Sequence, residues 1–211
     1  MKIMHIDASA KKPEQSNSRM LGKFFLEQLK EQGVNFQIDY LDLTKDIQPH
    51  LTPEFVVATY KPENERTPEM KAVLTDSDAM CQRVISADTL VCAMPMYNWT
   101  IPSTFKTFID TIIRTGVTYD LFPDGTTKGK LAGKKVLFIT TRGADLRSGA
   151  FQHMDAMTPV LKAAFSFLGI DNPQFVDAQP LQFSDPESRL AALARAREEL
   201  TTIAKQWATT I

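Results

Sequence analysis

The spacing of apolar residues changes its period repeatedly along the chain. Lys2 to Ile6 is a short apolar run fit for a buried strand, and it gives way to the polar stretch Asp7 to Ser16. From Ser18 onward Met20, Leu21, Phe24, Phe25 and Leu29 recur at intervals of three and four, the helical period, until Gly33 supplies a stop. Phe36, Ile38 and Tyr40 then alternate with polar neighbours, which predicts a second strand with one face half covered. Thr52-Pro53-Glu54 and Thr67-Pro68-Glu69 each combine a capping hydroxyl, a proline suited to the first helical turn and an early carboxylate, so both predict helix starts. The second helix runs through Met70, Val73, Leu74, Met80, Val84 and Ile85. Thr89 to Ala93 is continuously apolar, as a strand buried on both faces is, and Pro95 ends it.

Pro102 predicts the start of a further helix, with Phe105, Phe108, Ile109, Ile112 and Ile113 on one stripe and Gly116 past its end. Gly116 to Lys134 has little apolar period and reads as a loop excursion. A fourth strand at Lys135 to Thr140, a helix through Leu161, Phe165 and Leu168 closed by Gly169, a fifth strand near Phe175 to Ala178, and a last helix opened by Ser184-Asp185-Pro186-Glu187 complete the order. Alternating strands and helices with short turns predict an α/β chain with a five-stranded parallel sheet covered on both faces, in strand order 2-1-3-4-5. No repeat or linker interrupts it, so residues 1–211 read as one unit. In such a sheet the ligand site lies outside the carboxyl ends of the strands, at the switch point between strands one and three.

Composition narrows the chemistry. Of 211 residues 43% are apolar, enough for a packed core, and 24 Lys and Arg against 25 Asp and Glu leave a formal charge of −1. That balance lacks the basic footprint of a nucleic-acid binder. Cys81 and Cys92 stand in apolar surroundings without a metal-ligand spacing, and read as reduced core thiols. The start of the chain lacks a secretory pattern and no apolar run is long enough to span a membrane, so a cytoplasmic, soluble protein without a metal centre is expected.

Three loops leave the predicted strands at one rim. The first holds Ser9 and then Ser16-Asn17-Ser18 just before the first helix, where hydroxyls and unsatisfied backbone N–H groups make a seat for a phosphate; ordinary helix capping is the plainer reading of the same serines. The second, Pro95-Met96-Tyr97-Asn98-Trp99, offers aromatic faces and an amide to a flat heteroaromatic ligand, or else caps the core. The third, Thr141-Arg142-Gly143-Ala144, has a glycine that permits close backbone approach, or only a turn. There is no G-x-G-x-x-G after the first strand, no phosphate loop of the G-x-x-x-x-G-K-[ST] type, no nucleophile elbow and no H-E-x-x-H. His5 reads as a buried, hydrogen-bonded strand residue, and His50 and His153 as solvated loop residues.

Pro95-Met96-Tyr97-Asn98, preceded by Ser16-Asn17-Ser18 and followed by Thr141-Arg142-Gly143, resembles the FMN-dependent NADH azoreductases, also described as FMN-dependent NADH:quinone oxidoreductases. Arg114 to Tyr119 and Gly133-Lys134-Lys135 extend the likeness over essentially the whole chain. The resemblance implies a flavodoxin-like three-layer fold, one non-covalent FMN per subunit, a homodimer with sites at the subunit boundary, and NADH-driven reduction of quinones and azo compounds. It implies that Ser9, Ser16, Asn17 and Ser18 hold the phosphate, while Pro95 to Trp99 and Thr141 to Ala144 border the isoalloxazine. The family often carries Phe at position 99, Ser at 141 and Gly at 144, so Trp99 is the departure that bears most on the substrate face. With the chemistry on the flavin, no catalytic side chain is required. A general NAD(P)H-dependent FMN reductase and a flavodoxin-like electron carrier are the competing readings; the near-neutral charge disfavours the carrier, which would steer by an acidic surface.

Overall fold

The computed structural model describes residues 1–209. The elements are β1 (Lys2–Asp7), α1 (Asn17–Glu31), β2 (Gln37–Asp42), α2 (Pro53–Tyr60), α3 (Pro68–Ser86), β3 (Thr89–Pro95) and α4 (Ser103–Ile112), then β4 (Tyr119–Leu121), β5 (Thr127–Gly129), β6 (Lys135–Thr141), α5 (Met157–Phe167), β7 (Gln174–Ala178) and α6 (Pro186–Thr209). Five strands form one parallel sheet in the order β2-β1-β3-β6-β7, which is the 2-1-3-4-5 order that the alternation predicts.

Successive residues of the central strands enter two different cores. Met4, Ile6, Leu90, Cys92 and Phe138 pack with side chains of α3, α4 and α5 on one face. Ile3, Val91, Ala93, Leu137 and Ile139 pack with α1 and α6 on the other. Burial on both faces is why these strands read as continuous apolar runs rather than alternating ones. At the edge, β2 leaves Ile38 and Tyr40 nearly half exposed. Thr52 and Thr67 cap as the sequence predicts: their hydroxyls accept from the N–H groups of Phe55 at 3.2 Å and Met70 at 3.3 Å.

The excursion after α4 differs from its reading as a loop, because β4 and β5 form an antiparallel hairpin within it. Gly125, at φ 82°, supplies the left-handed turn position, and its N–H donates to the Phe122 carbonyl. Asp124-Gly125 is a hairpin signal; it was obscured because the flanking strands are short and mostly exposed. Gly129 lies so close to the end of α5 that a Cβ would stand 2.0 Å from the Leu168 carbonyl carbon. We expect Gly129→Ala to destabilise the protein by at least about 2 kcal/mol in urea unfolding, since backbone cannot yield as a flexible side chain can. An unchanged midpoint contradicts this packing.

Candidate functional site

The loops leaving β1, β3 and β6 meet around a cavity of about 440 Å³. Its floor follows from the register, which brings the end of β3 beside the end of β6: Pro95 pairs with Thr141, and the Met96 N–H donates to the Thr141 carbonyl at 2.8 Å.

In the first loop Ser9 and Ser16 are 2% exposed and line the cavity together with Asn17. Ser18 is buried behind them, its Oγ 3.2 Å from that of Ser16, and is not itself a lining residue. Ser16 caps α1, its Oγ accepting from the Arg19 N–H at 3.4 Å. The capping reading therefore holds for Ser16, and a seat remains beside it: among the described residues the N–H groups of Asn17 and Ser18 have no protein acceptor. Uncommitted N–H groups, hydroxyls and the positive end of a 15-residue helix form a donor set suited to an anion.

The second loop is tighter than its sequence suggests. Tyr97 and Thr100 exchange both backbone hydrogen bonds at 3.1 Å, so Asn98 and Trp99 form a two-residue turn with φ of 47° and 70°. This is the primed turn that usually carries Asn-Gly, and an indole at its second position is strained. The strain is held from outside. The Trp99 carbonyl accepts from the Ala156 N–H at 3.1 Å, and its ring stacks on Phe151 with centroids 5.6 Å apart and planes 25° apart. Tyr97 reaches back to the first loop, its hydroxyl accepting from the Ala10 N–H at 3.3 Å.

In the third loop the Arg142 guanidinium is turned into the protein, to Asp155 at 2.7 Å, Thr158 at 2.7 Å and Asp177 at 3.1 Å. It ties β6 to β7 and to the start of α5, so its side chain anchors the rim. Burial works to raise the Asp155 pKa, but the Thr158 N–H and the guanidinium outweigh it and hold the carboxyl below its ordinary range. The Gly143 carbonyl accepts from the N–H groups of Leu181 at 3.1 Å and Phe183 at 2.9 Å, and a Cβ at Gly143 would come within 3.1 Å of Gln182 and 3.2 Å of the Phe183 ring. The glycine thus lets the segment after β7 close over this loop. Ala144 is buried beside it. The N–H groups of Asn98, Gly143 and Ala144 have no protein acceptor among the described residues.

Leu181, Gln182, Phe183, Arg189 and Lys11 also line the cavity and were not singled out in the sequence. The rim rule applied to the loop after the fifth strand would have found the first three. Arg189 comes from the first turn and a half of α6, and no local pattern marks it.

Under the first loop lies a buried charged cluster. Arg19, 5% exposed, donates to Asp42 at 2.8 and 2.9 Å, Asp7 at 3.3 Å, the Tyr40 hydroxyl at 3.0 Å and the Ser9 carbonyl at 2.8 Å. Burial works to raise the Asp42 pKa, but hydrogen bonds from Arg19 and Thr44 dominate and lower it. A carboxyl depressed in the folded state stabilises fully above its unfolded pKa of about 3.9, and that contribution is lost as pH falls through the folded value. We expect an acid limb of unfolding below about pH 4, shallower in Asp42→Asn; equal slopes in the two proteins sink the assignment. His5 is buried as expected but not hydrogen-bonded through Nε2, which stands 3.5 Å from Asp7 Oδ1. His50 and His153 are exposed. Burial pushes the Cys81 thiol up to about 11 and the Cys92 thiol higher still, so both are protonated core groups. Among the described residues no His, Cys, Asp or Glu cluster could hold a metal, and no helix is long and apolar enough to cross a membrane.

A family model described as flavodoxin-like fold matches residues 1–203. The chain belongs to this family. Among its flavodoxin-like relatives, a protein of Trichormus variabilis named FMN-dependent NADH:quinone oxidoreductase 1 is 34% identical over 98% of this chain and 97% of its own length. One of the same name without the number, from Nostoc punctiforme, is 36% identical over 97% and 98%. An azoreductase of Bacillus anthracis superposes with a TM-score of 0.88 at 25% identity, covering 97% of this chain and 99% of that one. An FMN-dependent NADH-azoreductase from the same species, solved in complex with FMN, gives 0.81 at 29% identity, over 96% and 99%.

Proposed function

We propose that this chain is an FMN-dependent oxidoreductase that uses NADH to reduce quinones and azo compounds. The observation that carries the reading is one cavity with two different ends. One end is a hydroxyl and N–H seat at the start of α1; the other is an aromatic turn with uncommitted N–H donors. The names of the full-length relatives support the same activity.

FMN fits the residues present. Ser9, Ser16 and Asn17, with Ser18 behind them and Lys11 at the margin, would hold the phosphate. Pro95 to Trp99 and Thr141 to Ala144 would border the ring system, with Arg142 acting through its backbone. FMN held there would supply the redox chemistry, hydride uptake from NADH and two-electron delivery to the acceptor. The chain binds and orients: N–H groups of Asn98, Gly143 and Ala144 favour negative charge on a ligand edge, and the Trp99 ring, braced by Phe151, walls one side of the cavity. The buried, protonated thiols offer no nucleophile, and this chemistry requires none.

Mass spectrometry of the released cofactor and steady-state NADH oxidation with a quinone test the reading. FMN rather than FAD and sustained turnover are expected. A retained flavin without turnover indicates an electron carrier, and release of free reduced FMN in place of quinone reduction indicates an FMN reductase.

A cytoplasmic homodimer, one flavodoxin-like unit over residues 1–211 in each subunit, completes the proposal. Val56, Val57 and Tyr60 on α2, with Ile47 and Leu51 before it, are 42–69% exposed, an apolar surface that a second subunit would cover. Phe55 does not belong to that surface, because its ring lies 5.5 Å from the buried Arg114 guanidinium. Light scattering at micromolar concentration is expected to give twice the chain mass. A monomer that still turns over removes the homodimer from the proposal.

A further inference from the structure

We infer that Arg19 is a positioning residue for the cofactor phosphate, acting through Ser9 and Ser16 without lining the cavity itself; the inference rests on the FMN reading above. Its backbone N–H donates to Ser16 Oγ, and its guanidinium donates to the Ser9 carbonyl at 2.8 Å. One residue thus grips both halves of the seat. The carbonyl is the telling contact. A carbonyl oxygen turned toward the seat would repel a phosphate, and the guanidinium, itself buried and absent from the cavity wall, engages that oxygen from within the protein.

Net charge does not account for this arrangement. Asp42 takes the guanidinium fork through both oxygens and Asp7 accepts at 3.3 Å, so the guanidinium is already matched by two carboxylates. It offers a phosphate no attraction by field, and the contribution of Arg19 is directional. The planar fork reaches Asp42, Asp7, Tyr40 and Ser9 together, joining the ends of β1 and β2 to the first turn of α1. A lysine ammonium keeps the charge and cannot span those partners.

The discriminating measurement is the preference for FMN over riboflavin, which differ only in the phosphate. Flavin-loaded protein is equilibrated with mixtures of the two, and the bound fraction of each is quantified after release. The natural chain is expected to prefer FMN strongly, and Arg19→Lys to reduce that preference at least tenfold while riboflavin binding changes little. Should Arg19→Lys fail to fold, the charge-balanced double variant Arg19→Gln with Asp42→Asn carries the same expectation. A variant with lower thermal stability but an unchanged preference overturns the positioning role and leaves Arg19 a structural ion pair. A natural chain that binds neither flavin overturns the proposed function and this inference with it. Equal binding of both flavins by the natural chain overturns the phosphate seat, and so the inference, while leaving a flavin site.

Discussion

Replacing Ser16 and Ser18 together by Ala is expected to weaken FMN binding by at least about tenfold while the chain stays folded. The Ser16 hydroxyl lines the cavity at the start of α1, where it can donate to a doubly charged phosphate, and the Ser18 hydroxyl 3.2 Å behind it fixes its orientation. A hydrogen bond to a charged group contributes roughly 1.5–3 kcal/mol, so losing it together with the hydroxyl that orients its donor outweighs any relaxation of the loop. The structural cost is smaller. Ser16 also caps α1, and losing an N-cap hydroxyl costs about 1 kcal/mol, which a helix of 15 residues packed against β3 and α6 tolerates. Measuring FMN affinity and the unfolding midpoint on one preparation separates the two effects. An unchanged affinity returns both serines to capping alone.

The second large effect concerns Trp99. Its ring is held by Phe151 on one side and its backbone by Ala156, so the indole is fixed at the cavity wall in spite of a left-handed backbone. Trp99→Phe keeps an aromatic partner for Phe151 and removes one ring from the wall. FMN affinity is expected to change little, and kcat/KM is expected to shift toward a bulky azo dye and away from a small quinone. The change in their ratio should reach roughly tenfold or more, since one apolar contact moves discrimination by about 1–3 kcal/mol. Trp99→Gly is the control for the backbone, because glycine relieves the strained turn while removing the whole wall. If both substrates slow in equal proportion and the unfolding midpoint falls, Trp99 is a structural cap rather than a wall.

Much of the site was legible because strand ends could be placed from hydrophobic spacing, and the loop residues followed from them. Ser9, Ser16, Asn17 and the Pro95 to Trp99 and Thr141 to Ala144 segments all line the cavity. The β4–β5 hairpin was not legible, since its strands are three residues each and bury only Tyr119. Arg189 leaves no local mark because it is ordinary in its own neighbourhood; it matters only where α6 begins beside the β6 loop.

Hydrophobic spacing along the chain is enough to place the parallel strands, their order and the loops that share a rim. Those follow from local periodicity and from the chirality of crossovers, both carried by each segment alone. How those loops are held depends on contacts made only once the chain has folded. That Arg142 faces Asp155 and Asp177, that Gly143 is needed because Gln182 and Phe183 pack on it, and that Arg19 grips Ser9 from beneath are facts about partners 10 to 40 residues away. Such partners are selected by packing and by the need to satisfy buried charge, and neither leaves a periodic mark in the chain. The turn at Asn98-Trp99 shows this most directly. Asn98 suits its left-handed position but Trp99 argues against one, and contacts from Phe151 and Ala156 override that preference.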